Sequence, residues 1–436
     1  MKRITAAAEE ADVVDLSHDA RGVARIDGKT VFVDDALPGE RVLLRRTGRR
    51  RSFDEARLER VLLASPRRIA PGCAHFGLCG GCALQHLDPA AQLEFKQSQL
   101  IESLGRIGGV APERILPPLT GPAWGYRRRA RLGVRFVTAK GRVLVGFRER
   151  SAPYVADLRA CPVLAPPADG LIEPLAALIG SLSIATRVPQ VEVAVADDAC
   201  ALVLRTLEPP TPVDREKLCA FEARWRVRLY LQPGGTDTVV PLAGDGPPLH
   251  YTLRAFGLRI EFGPVDFIQV NGPLNEAMVE RAVELLDVPP DAEVLDLYCG
   301  LGNFTLALAS RARAVTGVEG EATLVARARA NAASNTVANA TFHASDLATR
   351  TFAEPWAARR YERVLLDPPR AGARDVLQVV GGCGASRVVY ISCHPGSLAR
   401  DAGDLVRDHG FRLVAAGVMD MFPHTMHVEA MAVFDR

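Results

Sequence analysis

The chain has 436 residues, 48% of them hydrophobic and 24% charged, with a formal net charge of +2 at pH 7. This ordinary globular balance, on a length suited to roughly two or three domains, excludes disordered, collagenous and low-complexity proteins. No run of about 18 uncharged apolar residues occurs, and the opening MKRITAAAEEADVVD carries acids where a secretory leader has its apolar core, so a cytoplasmic protein without a membrane span is expected.

Residues 1–65 contain short alternations of apolar and polar residues (GVARIDGKTVFVDDALPGERVLLRR), with Gly28, Pro38 and Gly39 as turn punctuation. They predict a small β-barrel. The net charge conceals a basic run in and just beyond this region: Arg41, Arg45, Arg46, Arg49, Arg50, Arg51, Arg57, Arg60, Arg67 and Arg68. Only Asp54, Glu55 and Glu59 oppose it locally. A second run between Arg127 and Arg150 faces only Glu149. Arginine runs suit a phosphate-rich partner, because each neutralised phosphate releases a counterion, and basic barrels of this size bind nucleic acid. Solvated arginine faces would account for one such run; two together favour nucleic acid.

Residues 66–260 predict a central, mostly antiparallel α+β domain, with strand-like runs such as RLGVRF, VEVAVA, ALVLRT and VRLYLQP. The segment 90–118 has helical apolar spacing and ends near a glycine pair. Cys73, Cys79 and Cys82 follow a C-x5-C-x2-C spacing beside Gly80 and Gly81, and Cys161 lies further on. Four thiolates can hold a structural zinc ion or an iron–sulfur cluster, and spacing alone does not choose between them. The C-x3-C-x2-C spacing of radical enzymes is absent. An odd total of nine cysteines, without a leader, argues against a disulfide framework. For Cys200 and Cys219, buried packing is the default.

Residues 261–436 change texture. Short apolar strands (EVLDL, AVTGV, ERVLLD, RVVYIS) alternate with Ala-rich helices, which predicts a parallel, Rossmann-like sheet, and FRLVAAGV and VEAMAVFDR read as its closing strands. Gly300 and Gly302 lie in a tight turn after the first of these strands. Asp296, Glu319, Asp346 and Asp367 sit at or near successive strand ends, where such sheets hold a ligand. The turn reads GLGNFT and lacks the third glycine of a pyrophosphate cradle. S-adenosylmethionine, a sulfonium cation without phosphate, fits this pattern, and a methyltransferase is predicted.

The target follows from DPPR and YISCHPGSLARD. Methyltransferases acting on the exocyclic amine of adenine place an aromatic residue after the proline pair to stack on the base; Arg370 stands there instead. Carbon C5 of uracil needs a nucleophile at C6 before it can attack, and the Cys393 thiolate is suited to that addition. The helix start at SLAR, or Arg400, would help ionise it. Cys299 and Cys383 read as packing residues. A base must then remove the C5 proton, and FPHTMHVEAM offers His424, His427 and Glu429; a carboxylate suits the step.

With GVARIDGKTVFVDDALPGE, C-x5-C-x2-C, WGYRRRARLGV, DFIQVN, DLYCGLGNFTLALA, LLDPPR, YISCHPGSLARD and MDMFPHTMHVEAM in one chain, the sequence resembles the bacterial RNA uracil-C5 methyltransferases, most closely those acting on 23S rRNA, over nearly its whole length. The resemblance implies an N-terminal TRAM barrel of oligonucleotide-binding type. It implies a 4Fe-4S cluster on Cys73, Cys79, Cys82 and Cys161 that shapes the RNA-binding surface without redox chemistry on the base. It further implies S-adenosylmethionine binding by Gln269, Tyr298, Asn303, Glu319, Asp346 and Asp367, with Cys393 as nucleophile and Glu429 as base. Asp346 stands where some relatives carry Asn. The resemblance also implies that segment 90–118 packs with the catalytic domain, and that 23S rRNA is the partner, with no obligate protein partner. The competing expectations are a tRNA T-loop uracil-C5 methyltransferase, whose relatives usually lack the barrel and cysteines, and a non-catalytic, cluster-stabilised RNA-binding assembly factor.

Overall fold

The structure, a computed structural model, describes residues 7–244, 246–349 and 351–436. The first six residues, where the opening segment was read for a leader, lie outside the described residues. The chain divides into two compact units: Met1–Gln99 with Arg148–Tyr154 and Phe422–His427, and Leu100–Phe147 with Val155–Met421 and Val428–Arg436. Among the described residues no helix is long and apolar enough to cross a membrane.

In the first unit, β1 (Glu9–Leu16), β2 (Gly22–Ile26), β3 (Lys29–Asp34), β4 (Arg41–Arg49) and β5 (Phe53–Leu63) close a barrel in the order β1-β2-β3-β5-β4. Strand alternation turns Val13, Ala24, Val31, Val33, Val42, Leu44 and Ala56 inward, and these alanine, valine and leucine side chains fill the narrow interior. The β2–β3 hairpin turns on Asp27 and Gly28, both at positive φ, the backbone that a two-residue turn with matching twist requires. A satellite core of Leu16, Ala20, Leu37, Ala83, Leu84, Leu87 and Ala91 joins the barrel to the cysteine loop and to the start of α1 (Pro89–Ser103).

The first basic run is less bare than its sequence neighbours indicate. Folding brings Glu9 to Arg46, Glu10 to Arg41 and the buried Glu40 to Arg68, besides the Arg45–Glu59 and Arg46–Asp54 pairs. Arg49, Arg50, Arg51 and Arg60 stay exposed, with no ion pair among the described residues. On the barrel surface Phe32 and Phe53 meet edge to face at 5.3 Å, with the Arg21 guanidinium 4.7 Å over Phe32.

The second unit begins with the end of α1 and the short strand β6 (Arg114–Ile115). Six strands follow, β7 (Arg129–Val137), β8 (Arg142–Gly146), β9 (Gln190–Val195), β10 (Cys200–Arg205), β11 (Arg228–Gln232) and β12 (Val240–Pro241). They form a sheet in the order β12-β11-β10-β9-β7-β8, antiparallel except between β10 and β11. Helices α2 (Ile172–Gly180) and α3 (Pro212–Trp225) lie along this stretch of chain, and β13 (Leu249–Leu253) pairs with β14 (Leu258–Phe262). The second arginine run is partly matched by acids that the sheet brings near, while Arg131, Arg135, Lys140 and Arg142 stay exposed. Arg128 is buried, Arg129 and Arg131 share Glu192, and Lys140 and Arg142 share Asp157. Sequence distance hid these partners.

The remainder is an eight-stranded sheet. It uses β15 (Glu293–Leu297), β16 (Ala314–Glu319), β17 (Ala340–Ala344), β18 (Arg363–Leu366), β19 (Arg387–Ser392), β20 (Arg412–Met419) and β21 (Glu429–Asp435), in the order β17-β16-β15-β18-β19-β21-β20-β6. The strands from β17 to β19 are parallel; β21 inserts antiparallel between β19 and β20. Helices α4 (Gly272–Leu286), α5 (Thr305–Ala309), α6 (Ala322–Ser334), α7 (Leu377–Gly382) and α8 (Pro395–His409) connect the strands. Leu295, Leu297, Val364, Leu366 and Val388 form one core with α7 and α8, and the intervening Val294, Leu365 and Val389 are buried as well, as a sheet covered on both faces requires. Leu100 and Leu104 belong to this core, and β6 pairs with β20, so much of segment 90–118 packs on the sheet. A Cβ on Gly108 would stand 2.3 Å from the Ala399 carbonyl; glycine there lets the turn after α1 lie against α8.

Candidate active site

The sheet order reverses beside β15, whose neighbours are β16 and β18, and the carboxyl ends of these strands open a crevice at that point. A cavity of about 420 Å³ lies there. After β15 the chain turns through Tyr298 at φ +66°, Gly300 at +54° and Gly302 at +87°. Gly300 and Gly302 meet this backbone without steric cost, whereas Tyr298 holds a strained conformation of the kind found where a side chain is aimed at a ligand.

Seven of the expected residues line this one cavity: Gln269, Tyr298, Asn303, Glu319, Asp367, Cys393 and Glu429. Glu319 ends β16 and accepts from the N–H groups of Gly300 and Glu321, at 3.1 and 3.0 Å, so its carboxylate is held over the glycine turn. Asp367 follows β18 and accepts from the Gln269 side-chain amide at 3.4 Å; burial pushes its pKa up to about 7. Asn303 accepts from the Tyr251 hydroxyl at 2.8 Å and exchanges amide hydrogen bonds with Asn275 on α4. Asp346, by contrast, is exposed and outside the cavity lining; its carboxylate accepts from the N–H of Ala348. Asp296 is also set apart. It is fully buried, accepts a 2.5 Å hydrogen bond from the Thr305 hydroxyl and is pushed up to about 7, chiefly by desolvation; its position ties β15 to α5.

Register explains how Cys393 and Glu429 meet. Ser392 at the end of β19 pairs with Ala430 of β21, so the next residues outward, Cys393 and Glu429, lie side by side at the cavity. The Cys393 thiol is pushed up to about 11, first by burial and then by the Glu429 and Asp367 carboxylates, with Arg370 opposing. The ionisation expected from the start of α8 or from Arg400 is outweighed. Arg400 is engaged by Asp401 at 2.6 Å and by the Ala371 carbonyl. Cys299 and Cys383 are buried, and Cys383 donates to the Val380 carbonyl. Sequence reasoning missed Tyr251, Asn275 and Phe267. The first two reach the site from β13 and α4, far from any motif. Phe267 stands at the cavity 68% exposed, and an exposed aromatic two residues before Gln269 was a signal available in DFIQVN.

In the first unit Cys73, Cys79 and Cys82 share one loop, where the His75 N–H donates to Cys73 Sγ and the Gly81 N–H to Cys79 Sγ, each at 3.4 Å. Amide donors to sulfur are what metal-ligating thiolates receive, so this donor set suits a thiolate-bound group. Among the described residues, however, no group of three or more His, Cys, Asp or Glu is arranged to hold a metal ion. Cys161 belongs to the second unit.

A parallel sheet with an acid-lined crevice at its reversal point, joined to a cysteine–carboxylate pair, defines a Rossmann-like methyltransferase. Residues 254–436 match the family described as tRNA (Uracil-5-)-methyltransferase, and residues 8–44 match the TRAM domain. The chain is 53% identical over 429 residues to a protein of Alkalilimnicola ehrlichii named 23S rRNA (uracil(1939)-C(5))-methyltransferase RlmD, covering 98% of this chain and 96% of that one. It is 51% identical to a protein of the same name from Stenotrophomonas maltophilia, with 98% and 97% covered. Among solved structures, Pyrococcus abyssi tRNA (uracil-54, C5)-methyltransferase in complex with S-adenosyl-L-homocysteine superposes with a TM-score of 0.74, at 24% identity, over 98% of this chain and 100% of that one, and shows the same fold. The chain belongs to the RNA uracil-C5 methyltransferase family.

Proposed function

We propose that this enzyme transfers a methyl group from S-adenosylmethionine to C5 of a specific uridine in 23S rRNA, giving 5-methyluridine. The observation that carries the proposal is the convergence of Cys393, Glu429 and Asp367 with Gln269, Tyr298, Asn303 and Glu319 on one cavity. Full-length similarity to the proteins named above supports the rRNA substrate, and a cytoplasmic location goes with it.

In this reading Glu319 would hold the ribose hydroxyls of the cofactor, and Gln269, Tyr298, Asn303, Asp346 and Asp367 would complete its site. The cofactor supplies an electrophilic methyl on a cationic sulfur. The target uridine must leave its stack, because C5 and C6 are inaccessible within it. Cys393, once deprotonated, adds to C6 as its thiolate, and the electron pair this places on C5 would take the methyl as the methyl–sulfur bond breaks and S-adenosylhomocysteine leaves. Glu429 then takes the C5 proton, and Cys393 departs with its bonding electrons. Residues 1–65 bind RNA through the barrel and residues 261–436 carry the chemistry. Within 66–260, Cys73, Cys79, Cys82 and Cys161 hold a 4Fe-4S cluster, which supplies a structural brace for the RNA-binding surface; the N–H donors to Cys73 and Cys79 support that assignment.

Methyl transfer from labelled cofactor into unmodified bacterial RNA, separated by size and digested to nucleosides, tests the proposal. Label recovered as 5-methyluridine from 23S rRNA is expected. Label in tRNA would overturn the substrate, and absence of label from protein that binds the cofactor would overturn the activity. Cys393→Ala should abolish both turnover and any covalent RNA adduct, whereas Glu429→Gln should accumulate the methylated adduct as a retarded band on a denaturing gel.

A further inference from the structure

Gln269 and Asn303 are joined behind the cavity by two side chains of the same unit: Arg128, just ahead of β7 and 7% exposed, and Tyr251 of β13, 3% exposed. Arg128 holds the chain at Gln269 in two ways. Its Nε donates to the Gln269 carbonyl at 2.8 Å, and its main-chain N–H donates to the Val270 carbonyl, also at 2.8 Å. From the backbone held there, the Gln269 side-chain amide reaches Asp367. The guanidinium also lies 4.3 Å over the Tyr251 ring. The Tyr251 hydroxyl in turn donates to Asn303 Oδ1 at 2.8 Å.

Two features set this series of contacts apart from ordinary packing. A buried guanidinium is costly, and burial lowers its pKa, yet among the described residues no carboxylate pairs with Arg128 and its Nη2 has no hydrogen-bond acceptor. The charge is met by the face of the Tyr251 ring, a cation–π contact that gains strength where water is excluded. The second feature is the bonding of Asn303. Its oxygen accepts from both Tyr251 and the Asn275 amide, and one hydrogen of its own amide goes back to Asn275. The oxygen is therefore spent, and what remains for the cavity is the second amide hydrogen, a donor. Phenylalanine at position 251 would fill the same space but leave that orientation without its hydroxyl donor.

We propose that Arg128 and Tyr251 are positioning residues for the cofactor: Arg128 sets Gln269 through its carbonyl and Tyr251 through its ring, and Tyr251 locks Asn303 so that it offers an N–H to an oxygen of S-adenosylmethionine. The inference deepens the reading of Gln269 and Asn303 as cofactor residues and rests on it. It does not depend on which RNA is the substrate.

Calorimetric titration of the full-length protein with S-adenosylhomocysteine tests this without RNA. Tyr251→Phe, which keeps the ring under the guanidinium, should weaken binding about 5- to 10-fold, the worth of one hydrogen bond. Arg128→Lys, which keeps the charge but has neither the plane nor Nε, should weaken it at least about 10-fold. The double variant distinguishes positioning from support of the fold at large. Because Tyr251 acts through Asn303, adding Tyr251→Phe to Asn303→Ala should weaken binding by less than about twofold beyond Asn303→Ala alone. In methyl transfer, the Tyr251→Phe loss should fall on KM for S-adenosylmethionine, with kcat changed by less than about twofold. Unchanged affinity in either single variant would overturn the inference. So would a full further loss of about 5- to 10-fold in the Asn303→Ala background, which would make Tyr251 a direct contact or a general support. A fall in kcat with KM unchanged would overturn it as well. Wild-type affinity in Asn303→Ala would overturn the cofactor reading of that residue and the inference with it. Tyr251→Phe and its double variant decide the matter should Arg128→Lys fail to fold.

Discussion

Cys393 reaches the cavity as a protonated thiol, and its reactivity in the free enzyme can be worked out. Burial and two neighbouring carboxylates hold its pKa at about 11. A free cysteine with pKa ~8.5 is ~9% ionised at pH 7.5, whereas a thiol near 11 is ~0.03% ionised, a deficit of about 300-fold. The more basic thiolate is also the better nucleophile, by about 13-fold for a Brønsted slope of ~0.45, so the net expectation is alkylation roughly 20-fold slower than a free thiol. Iodoacetamide labelling of the Cys393 peptide, followed by mass spectrometry from pH 7 to 10, measures this directly. The rate should climb about tenfold per pH unit across the whole range, where a free thiol levels off above ~8.5. Glu429→Gln and Asp367→Asn should each move the profile to lower pH, because both carboxylates raise the thiol, and Arg370→Met should move it higher. A plateau at or below pH 8.5, or labelling as fast as a free thiol, would refute the reasoning.

Three further outcomes are expected. Asp367 is raised to about 7 in the fold. Because the unfolded chain ionises it from pH ~4, its burial costs stability that grows between pH ~4 and ~7 and stays lost above, up to about 4 kcal/mol. Asp367→Asn should therefore gain in melting temperature over wild type as pH rises from 5 to 8; a constant difference would contradict this. If the sulfonium of S-adenosylmethionine binds beside that carboxylate, it should drive ionisation. Calorimetry at pH 6.5 should then show proton release as a buffer-dependent enthalpy, largely absent in Asp367→Asn; identical enthalpies in phosphate and Tris would exclude the coupling. Leu100 is fully buried in the core of the eight-stranded sheet, so Leu100→Ala should cost about 2–5 kcal/mol in denaturant unfolding. A cost under about 0.5 kcal/mol would mean that the end of α1 is not integral to that core.

Much of this was legible because it is local. The alternation of GVARIDGKTVFVDD, the glycine turn after EVLDL and the acids at the ends of β16 and β18 are short-range patterns that follow from strand period and turn chemistry, and they pointed to a barrel, a parallel sheet and an acid-lined crevice. Cys393 was legible for the same reason, at the end of an apolar strand. What sequence distance concealed was every pairing made across the fold. Charges counted along the chain made two bare arginine runs, yet Arg46, Arg68 and Arg129 are matched by Glu9, Glu40 and Glu192, which only the closed barrel and the six-stranded sheet bring near. Asp296 and Asp367 look alike as acids at strand ends, but one is sealed against Thr305 and the other lines the cavity. The thiol of Cys393 looked set for ionisation by a helix start; burial beside Glu429 and Asp367 decided otherwise, because desolvation depends on what surrounds a group in three dimensions. The sequence by itself thus determined the elements and the chemical types at their ends. Tertiary structure decided which of them meet, through the antiparallel return of β21 that sets Glu429 beside Cys393.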